Sequence, residues 1–191
     1  MNQPLSDASL FLIQTVFDLY LVILTVRLIL AYRNARYFNP VIQVIIRLTQ
    51  PLVHPLRRLF PTIHRIESAT LVCMFIIALI KFYLIGLLTA GIPKLSGLSI
   101  MTVADLLKLI LNTFFYAIFI QALLSWVQQS QSPVGDILEQ MTTPILRPFR
   151  RVIPLLNGFD LSPIPAMIFL QLVLILLINP LFFTGQQLAF S

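Results

Sequence analysis

Apolar residues fill four long stretches of this chain, roughly residues 9–31, 68–90, 104–126 and 164–184. Each is close to the 20 or so residues a helix needs to cross the hydrocarbon core of a bilayer. The last two are the cleanest, with no charged residue between Lys108 and Asp136 and none from Leu161 onward. The first contains Asp18 and Arg27, and the second contains Lys81. Arg27 is the first cation in the sequence, so the opening stretch lacks the positively charged leader of a signal peptide and is expected to stay in the mature protein. The pattern predicts an all-α membrane protein with four transmembrane helices.

The segments between these stretches are unequal. Residues 91–103 form a short linker, whereas 32–67 and 127–163 are long, partly polar and rich in proline. Nine of the thirteen cations lie in the two long linkers: Arg33, Arg36, Arg47, Arg57, Arg58 and Arg65, then Arg147, Arg150 and Arg151. Cytoplasmic loops carry an excess of Lys and Arg. Both long linkers are therefore expected in the cytoplasm, and both termini, with the Lys94 linker, on the far side of the membrane.

Sliding the chain along itself by 93 residues aligns Thr49-Gln-Pro-Leu-Val-His-Pro-Leu-Arg-Arg-Leu-Phe-Pro61 with Thr142-Thr-Pro-Ile-Leu-Arg-Pro-Phe-Arg-Arg-Val-Ile-Pro154 without a gap, six of thirteen positions being identical. The same shift places Asn39-Pro40 on Ser132-Pro133 and Glu67 on Asp160. A long fixed period of this kind reads as an internal duplication, with residues 1–93 and 94–191 each holding span, linker and span. Two spans per unit is an even number, so the copies are expected to run parallel, unlike the inverted repeats of many transporters.

Asn39-Pro40 and Ser132-Pro133 are helix starts: the cap side chain accepts a backbone N–H, and proline at the first position has no N–H to lose. An amphipathic helix of about ten residues is expected after each, too short to span and suited to the membrane interface. Pro51 and Pro144 are expected to end these helices. Two further turns, Pro55 to Pro61 and Pro148 to Pro154, would then carry the paired arginines Arg57-Arg58 and Arg150-Arg151. Flanked by apolar side chains, these arginines suit anionic lipid headgroups or a protein partner, besides acting as orientation signals.

Composition removes the alternatives. With 58% apolar and only 10% charged residues, the chain lacks the polar surface of a soluble domain and the charge of a disordered one. Its net charge of +6 is not arranged as the broad basic face of a nucleic-acid binder. The single cysteine, Cys73, cannot form an intrachain disulfide. His54 and His64 are the only histidines, and the second copy has Arg147 and Asn157 in their places, so they read as interfacial residues rather than metal or haem ligands. No cofactor or metal is called for, and no set of residues supports an enzyme.

Asp18, Arg27 and Lys81 need partners, because an unpaired charge at mid-membrane costs about 3 kcal/mol or more. Counted from the outer face, Asp18 and Lys81 lie at matching depth in antiparallel spans and are expected to pair. Arg27, on the opposite face of the first span, is near enough to the inner surface to snorkel or to reach Glu67. The trio could instead line an ion or proton path, although the aligned positions of the second copy, Leu111, Ile120 and Leu174, are apolar. Asp105 and Lys108, three residues apart, are expected to pair locally at the outer end of the third span.

The doubled T-x-P-[LI]-[LV]-x-P-[LF]-R-R-[LV]-[FI]-P motif, the N-P and S-P helix starts and the acidic-serine steps at Glu67-Ser68 and Asp160-Leu-Ser162 resemble the YggT/YlmG family of bacterial and plastid membrane proteins. The likeness extends to Asp18-Leu-Tyr20, Arg27, Lys81 and Leu124-Ser-Trp126, and covers nearly the whole chain. It implies a multi-pass protein of the bacterial inner membrane, in a family linked to osmotic-stress tolerance and ion homeostasis, with plastid relatives in cytochrome b6 assembly. Two readings stay open. One is a membrane scaffold or assembly factor whose proline-arginine loops engage lipids or a cytoplasmic or membrane protein partner. The other is a small potassium- or proton-linked transporter or channel component, for which a homo-oligomer could enclose the path. Direct nucleic-acid contact is not expected.

Overall fold

The computed structural model describes residues 3–33, 39–62, 66–89, 91–126, 132–153 and 160–190. All elements among them are helical: α1 (Gln3–Tyr32), α2 (Pro40–Arg57), α3 (Ser68–Thr89), α4 (Leu95–Trp126), α5 (Pro133–Val152), α6 (Pro163–Val173) and α7 (Asn179–Phe190). A π-helical segment, Leu174–Ile178, joins α6 to α7, and the Asn179 N–H reaches back to the Leu174 carbonyl. It ends two residues before Pro180, which has no N–H to continue the ordinary ladder. Four helical stretches are long and apolar enough to span a membrane: Leu5–Tyr32, Ser68–Thr89, Leu95–Ser125 and Pro163–Phe190.

These stretches coincide with the four sequence-predicted spans, the second within one residue and the others starting earlier, ending later or both, and the third differs most. Helix α4 starts at Leu95, so most of the expected linker 91–103 is helical. The turn is confined to a few residues around Gly91, whose φ of 99° is a conformation open to glycine. Its N–H closes on the Gly86 carbonyl at 2.8 Å. At 32 residues α4 is about 48 Å long, well beyond a core of about 30 Å, and must tilt or protrude.

The largest correction concerns the prolines. Pro51 and Pro55 lie inside α2, and Pro144 and Pro148 inside α5, so neither helix ends where expected, and Arg57, Arg150 and Arg151 belong to final helical turns. A mid-helix proline removes one hydrogen bond and frees the carbonyl four residues earlier. Here the prolines are spaced by four, which puts both on one face, and all four are exposed. The freed carbonyls lie on that face too, and Arg33 Nε donates to the one freed by Pro144, the carbonyl of Gln140, at 3.3 Å. Helix continuation is thus inexpensive where the lost bond can be replaced. Pro61 follows α2 in irregular chain, and Pro154 and His64 lie outside the described residues.

The two helix starts form as their sequences dictate. Asn39 Oδ1 accepts the Val41 N–H at 2.9 Å, and Ser132 Oγ accepts the Gly135 N–H at 3.0 Å. Asn39 also donates from Nδ2 to the Pro133 carbonyl at 2.6 Å, which ties the starts of α2 and α5 together at one end of the bundle.

Packing follows the apolar faces. Leu21 and Leu24 of α1, Val53 of α2 and Cys73, Met74 and Ala78 of α3 form one buried cluster. Ile118 of α4, Leu146 of α5 and Ala166 and Leu170 of α6 form another. Between them Ile29, Ile42, Ala117, Ile137 and Met141 join α1, α2, α4 and α5. Lipid gives helices no hydrophobic reason to associate, so close backbone contact matters more. Helices α4 and α7 achieve it through Gly97, where an added Cβ would lie 2.0 Å from the Ala189 nitrogen, and Gly185, where it would lie 2.6 Å from that of Met101.

Candidate functional site

Two clusters of charge are built into the bundle, one at its α2/α5 end and one deep between the spans. The first begins with Arg27, 6% exposed on α1. Its Nε and Nη2 donate to Glu67 Oε2 and Oε1, each at 3.0 Å, a bidentate pair. Its Nη1 donates to Thr49 Oγ1 at 2.6 Å, and that hydroxyl donates to the Ile45 carbonyl one turn earlier in α2. Arg57, from the last turn of α2, donates from Nε to Glu67 Oε1 at 2.6 Å, and its Nη2 contacts the same oxygen. Thr70 Oγ1 donates to Oε2 at 2.6 Å.

Glu67, side chain 4% exposed just before α3, therefore holds α1, α2 and α3 together. Burial alone would raise its pKa; the hydrogen bonds from Arg27, Thr70 and Arg57 outweigh that and hold it at about 2. Reach from Arg27 to Glu67 was legible in the sequence. The roles of Thr49 and Thr70 were not, although Thr49 belongs to the aligned motif.

The α5 end is simpler. Arg150 Nε donates to Asp160 Oδ2 at 2.8 Å, and Asp160 Oδ1 accepts from the Ser162 N–H and hydroxyl. Burial raises the Asp160 pKa, and the bonds from Ser162 and Arg150 bring it below its ordinary value. Thr142 donates to Gln121 and to the Leu138 carbonyl. Arg47, Pro51, Pro55, Arg58, Pro144, Arg147, Pro148 and Arg151 are exposed. The predicted loop motif thus divides into arginines that clamp, Arg57 and Arg150, and arginines that face outward.

The second cluster centres on Lys81, 4% exposed within α3. Its Nζ donates to Asp18 Oδ1 of α1 at 2.9 Å and to Asp105 Oδ2 of α4 at 2.6 Å, and lies 4.4 Å from the Phe82 ring centroid. The structure brings Asp18 and Lys81 together but reassigns Asp105, which was expected to pair with Lys108. Because α4 begins at Leu95, Asp105 lies three turns inside it, level with Lys81, and Lys108 points outward. Asp18 keeps 49% of its side chain exposed and Asp105 19%. No group of three or more metal-ligating residues occurs among the described residues.

Four spanning helices with buried polar ties between them define a multi-pass membrane protein. The family profile CCB3/YggT matches residues 6–88 and again 100–181, and the chain belongs to that family. It is 33% identical over 180 residues to "Uncharacterized protein YggT" of Escherichia coli K12, covering 93% of each chain. It is 39% identical over 182 residues to "Uncharacterized protein PA0392" of Pseudomonas aeruginosa, covering 93% of this chain and 91% of that one. A Vibrio alginolyticus protein named for its position in the proC 3' region is 34% identical over 178 residues. No solved structure matches the chain.

Two measurements test this geometry. Lys81→Met strands two carboxylates in the bundle and is expected to cost about 3–5 kcal/mol in reversible unfolding; adding Asp105→Asn should return at least about 1 kcal/mol, and strict additivity would contradict the contact. Glu67 is depressed on folding, so its stabilisation is complete above its ordinary value of 4.5 and is lost as pH falls toward about 2. Acid titration of unfolding should show that loss, and Glu67→Gln should remove Glu67's share of it.

Proposed function

We propose that the chain is a membrane scaffold that holds a rigid, arginine-bearing platform at the cytoplasmic surface of the bacterial inner membrane and so supports growth under osmotic stress. The observation that carries this reading is the Arg27–Glu67–Arg57 clamp with its Thr49 and Thr70 ties. A topology signal needs only charge on a loop. Here buried side chains are spent on fixing where α2 lies against α1 and α3, and Arg150–Asp160 fixes the end of α5. Preorganised surfaces lose less entropy when a partner or headgroup binds. Arg47, Arg58, Arg147 and Arg151, all exposed on or beside these helices, are the binding groups.

The same features support a parallel tandem duplication. Residues 93 apart occupy like positions: Asn39 and Ser132 at caps, Val53 and Leu146, and Cys73 and Ala166, in buried clusters, Arg57 and Arg150 in clamps. Helices α2 and α5 meet at one end through Asn39 and Pro133. By the positive-inside rule that end is cytoplasmic and the chain termini are periplasmic.

A second reading, a potassium- or proton-linked transporter, rests on the Asp18–Lys81–Asp105 cluster and the half-exposed Asp18 carboxylate. Liposome flux and growth separate the two. In a strain lacking its own copy, the protein with Arg47, Arg58, Arg147 and Arg151 all changed to Gln should reach normal abundance yet fail to restore growth at high osmolarity, while liposomes holding the unaltered protein should pass no more potassium or protons than empty ones. Flux abolished by Lys81→Met would overturn the scaffold reading.

A further inference from the structure

Glu67 has no acceptor capacity left, whereas the guanidiniums around it have donors to spare. An ionised carboxylate offers about four lone-pair sites. Arg27 takes one on each oxygen, Arg57 a second on Oε1 and Thr70 a second on Oε2. Arg27 uses three of its five N–H groups, on Glu67 and Thr49. Among the described residues Arg57 donates only to Glu67. Two guanidiniums against one carboxylate leave this cluster with an excess of one positive charge.

Arg27 and Arg57 both line a cleft of about 310 Å³ between α1 and α2. Gln50 completes its polar side, and Leu30, Ile42, Ile45 and Ile46 form its apolar side. That volume is at the lower end of the range for small-molecule sites, about 300–1,000 Å³. The Arg150–Asp160 region at the α5 end provides an internal comparison. There one guanidinium meets one carboxylate, Gln121 and Ser125 are the further polar groups, and the space is about 40 Å³, room for about one water.

We infer that the α1/α2 cleft is a binding site for a phosphodiester monoanion, with Arg27 and Arg57 on the phosphate oxygens, and that the α5 end has no equivalent. One negative charge neutralises the excess, and a phosphodiester supplies the planar pairs of acceptors that a guanidinium fork fits. The apolar wall suits the glycerol backbone and first methylenes of a phospholipid more than a free anion, and basic pockets beside spanning helices on the cytoplasmic side are where anionic lipids lodge. The inference concerns the inner side of the clamp and does not rest on the scaffold reading: it fails alone if lipid has no effect while the outward-facing arginines still govern growth.

The test is thermal unfolding of the delipidated full-length protein in a neutral detergent, with phosphatidylglycerol, phosphatidylcholine or millimolar inorganic phosphate added. Phosphatidylglycerol near saturation is expected to raise the midpoint by about 5 °C or more. Arg57→Gln should shift the half-maximal lipid concentration upward about tenfold. Gln50→Trp, a change at an exposed position that fills the cleft, should abolish the effect without lowering the lipid-free midpoint, and Arg150→Gln should leave the lipid response intact. Stabilisation by phosphatidylglycerol alone assigns the site to a lipid; equal stabilisation by inorganic phosphate, still sensitive to Arg57→Gln and Gln50→Trp, keeps the phosphate site and assigns it to a soluble anion. Equal stabilisation by phosphatidylcholine, or a response indifferent to Arg57→Gln and Gln50→Trp, overturns the inference.

Discussion

A carboxylate at the edge of a bilayer, surrounded by four donor contacts from three helices, governs the rest of this fold. Burying Glu67 without partners would cost several kcal/mol, so the position is tenable only while Arg27, Arg57 and Thr70 all point at it. Each of those residues belongs to a different helix, and each contact therefore fixes a helix rather than a side chain. Thr49 adds a second tie between α1 and α2 through the remaining edge of Arg27. What hydropathy leaves undetermined, the height and direction of a short helix against spanning ones, is determined by this network.

Deeper in the bundle Lys81 plays a comparable part with the charges reversed, one ammonium joining α3 to both α1 and α4. The two centres lie on opposite faces of α1, since Asp18 and Arg27 are nine residues apart and nine steps of 100° make two and a half turns. Helix α1 is thereby held from two sides at two depths. The α4 and α7 pair needs no such charge, because Gly97 and Gly185 bring backbones into direct contact. The two ends of the chain are thus secured by different physics, ion pairs in one and small-residue packing in the other.

Much of this was legible in the sequence. Spans follow from apolar length, caps from Asn39-Pro40 and Ser132-Pro133, the Asp18–Lys81 contact from depth counted along antiparallel helices, and the reach of Arg27 to Glu67, one of two options beside snorkelling, from its closeness to the inner surface. Two features were not. Pro51 and Pro144 read as stops because the sequence does not say where a freed carbonyl will point, and here it points to an exposed face or, at Gln140, to Arg33. Asp105 was placed at a helix end because apolar residues become continuous only near residue 104, whereas Leu95 to Val103 are carried into the helix by their attachment to α7, with the Lys94 N–H on the Ala189 carbonyl.

The central claim, that Glu67 locks α2 to the spanning helices, is most directly tested by amide hydrogen exchange in lipid nanodiscs on the unaltered protein and on Glu67→Gln. If the clamp holds α2, its amides should exchange about tenfold faster or more in the variant, in keeping with at least about 1.4 kcal/mol of lost local stability, while α5 keeps its protection. Unchanged protection of α2, or equal loss in α2 and α5, would contradict the account.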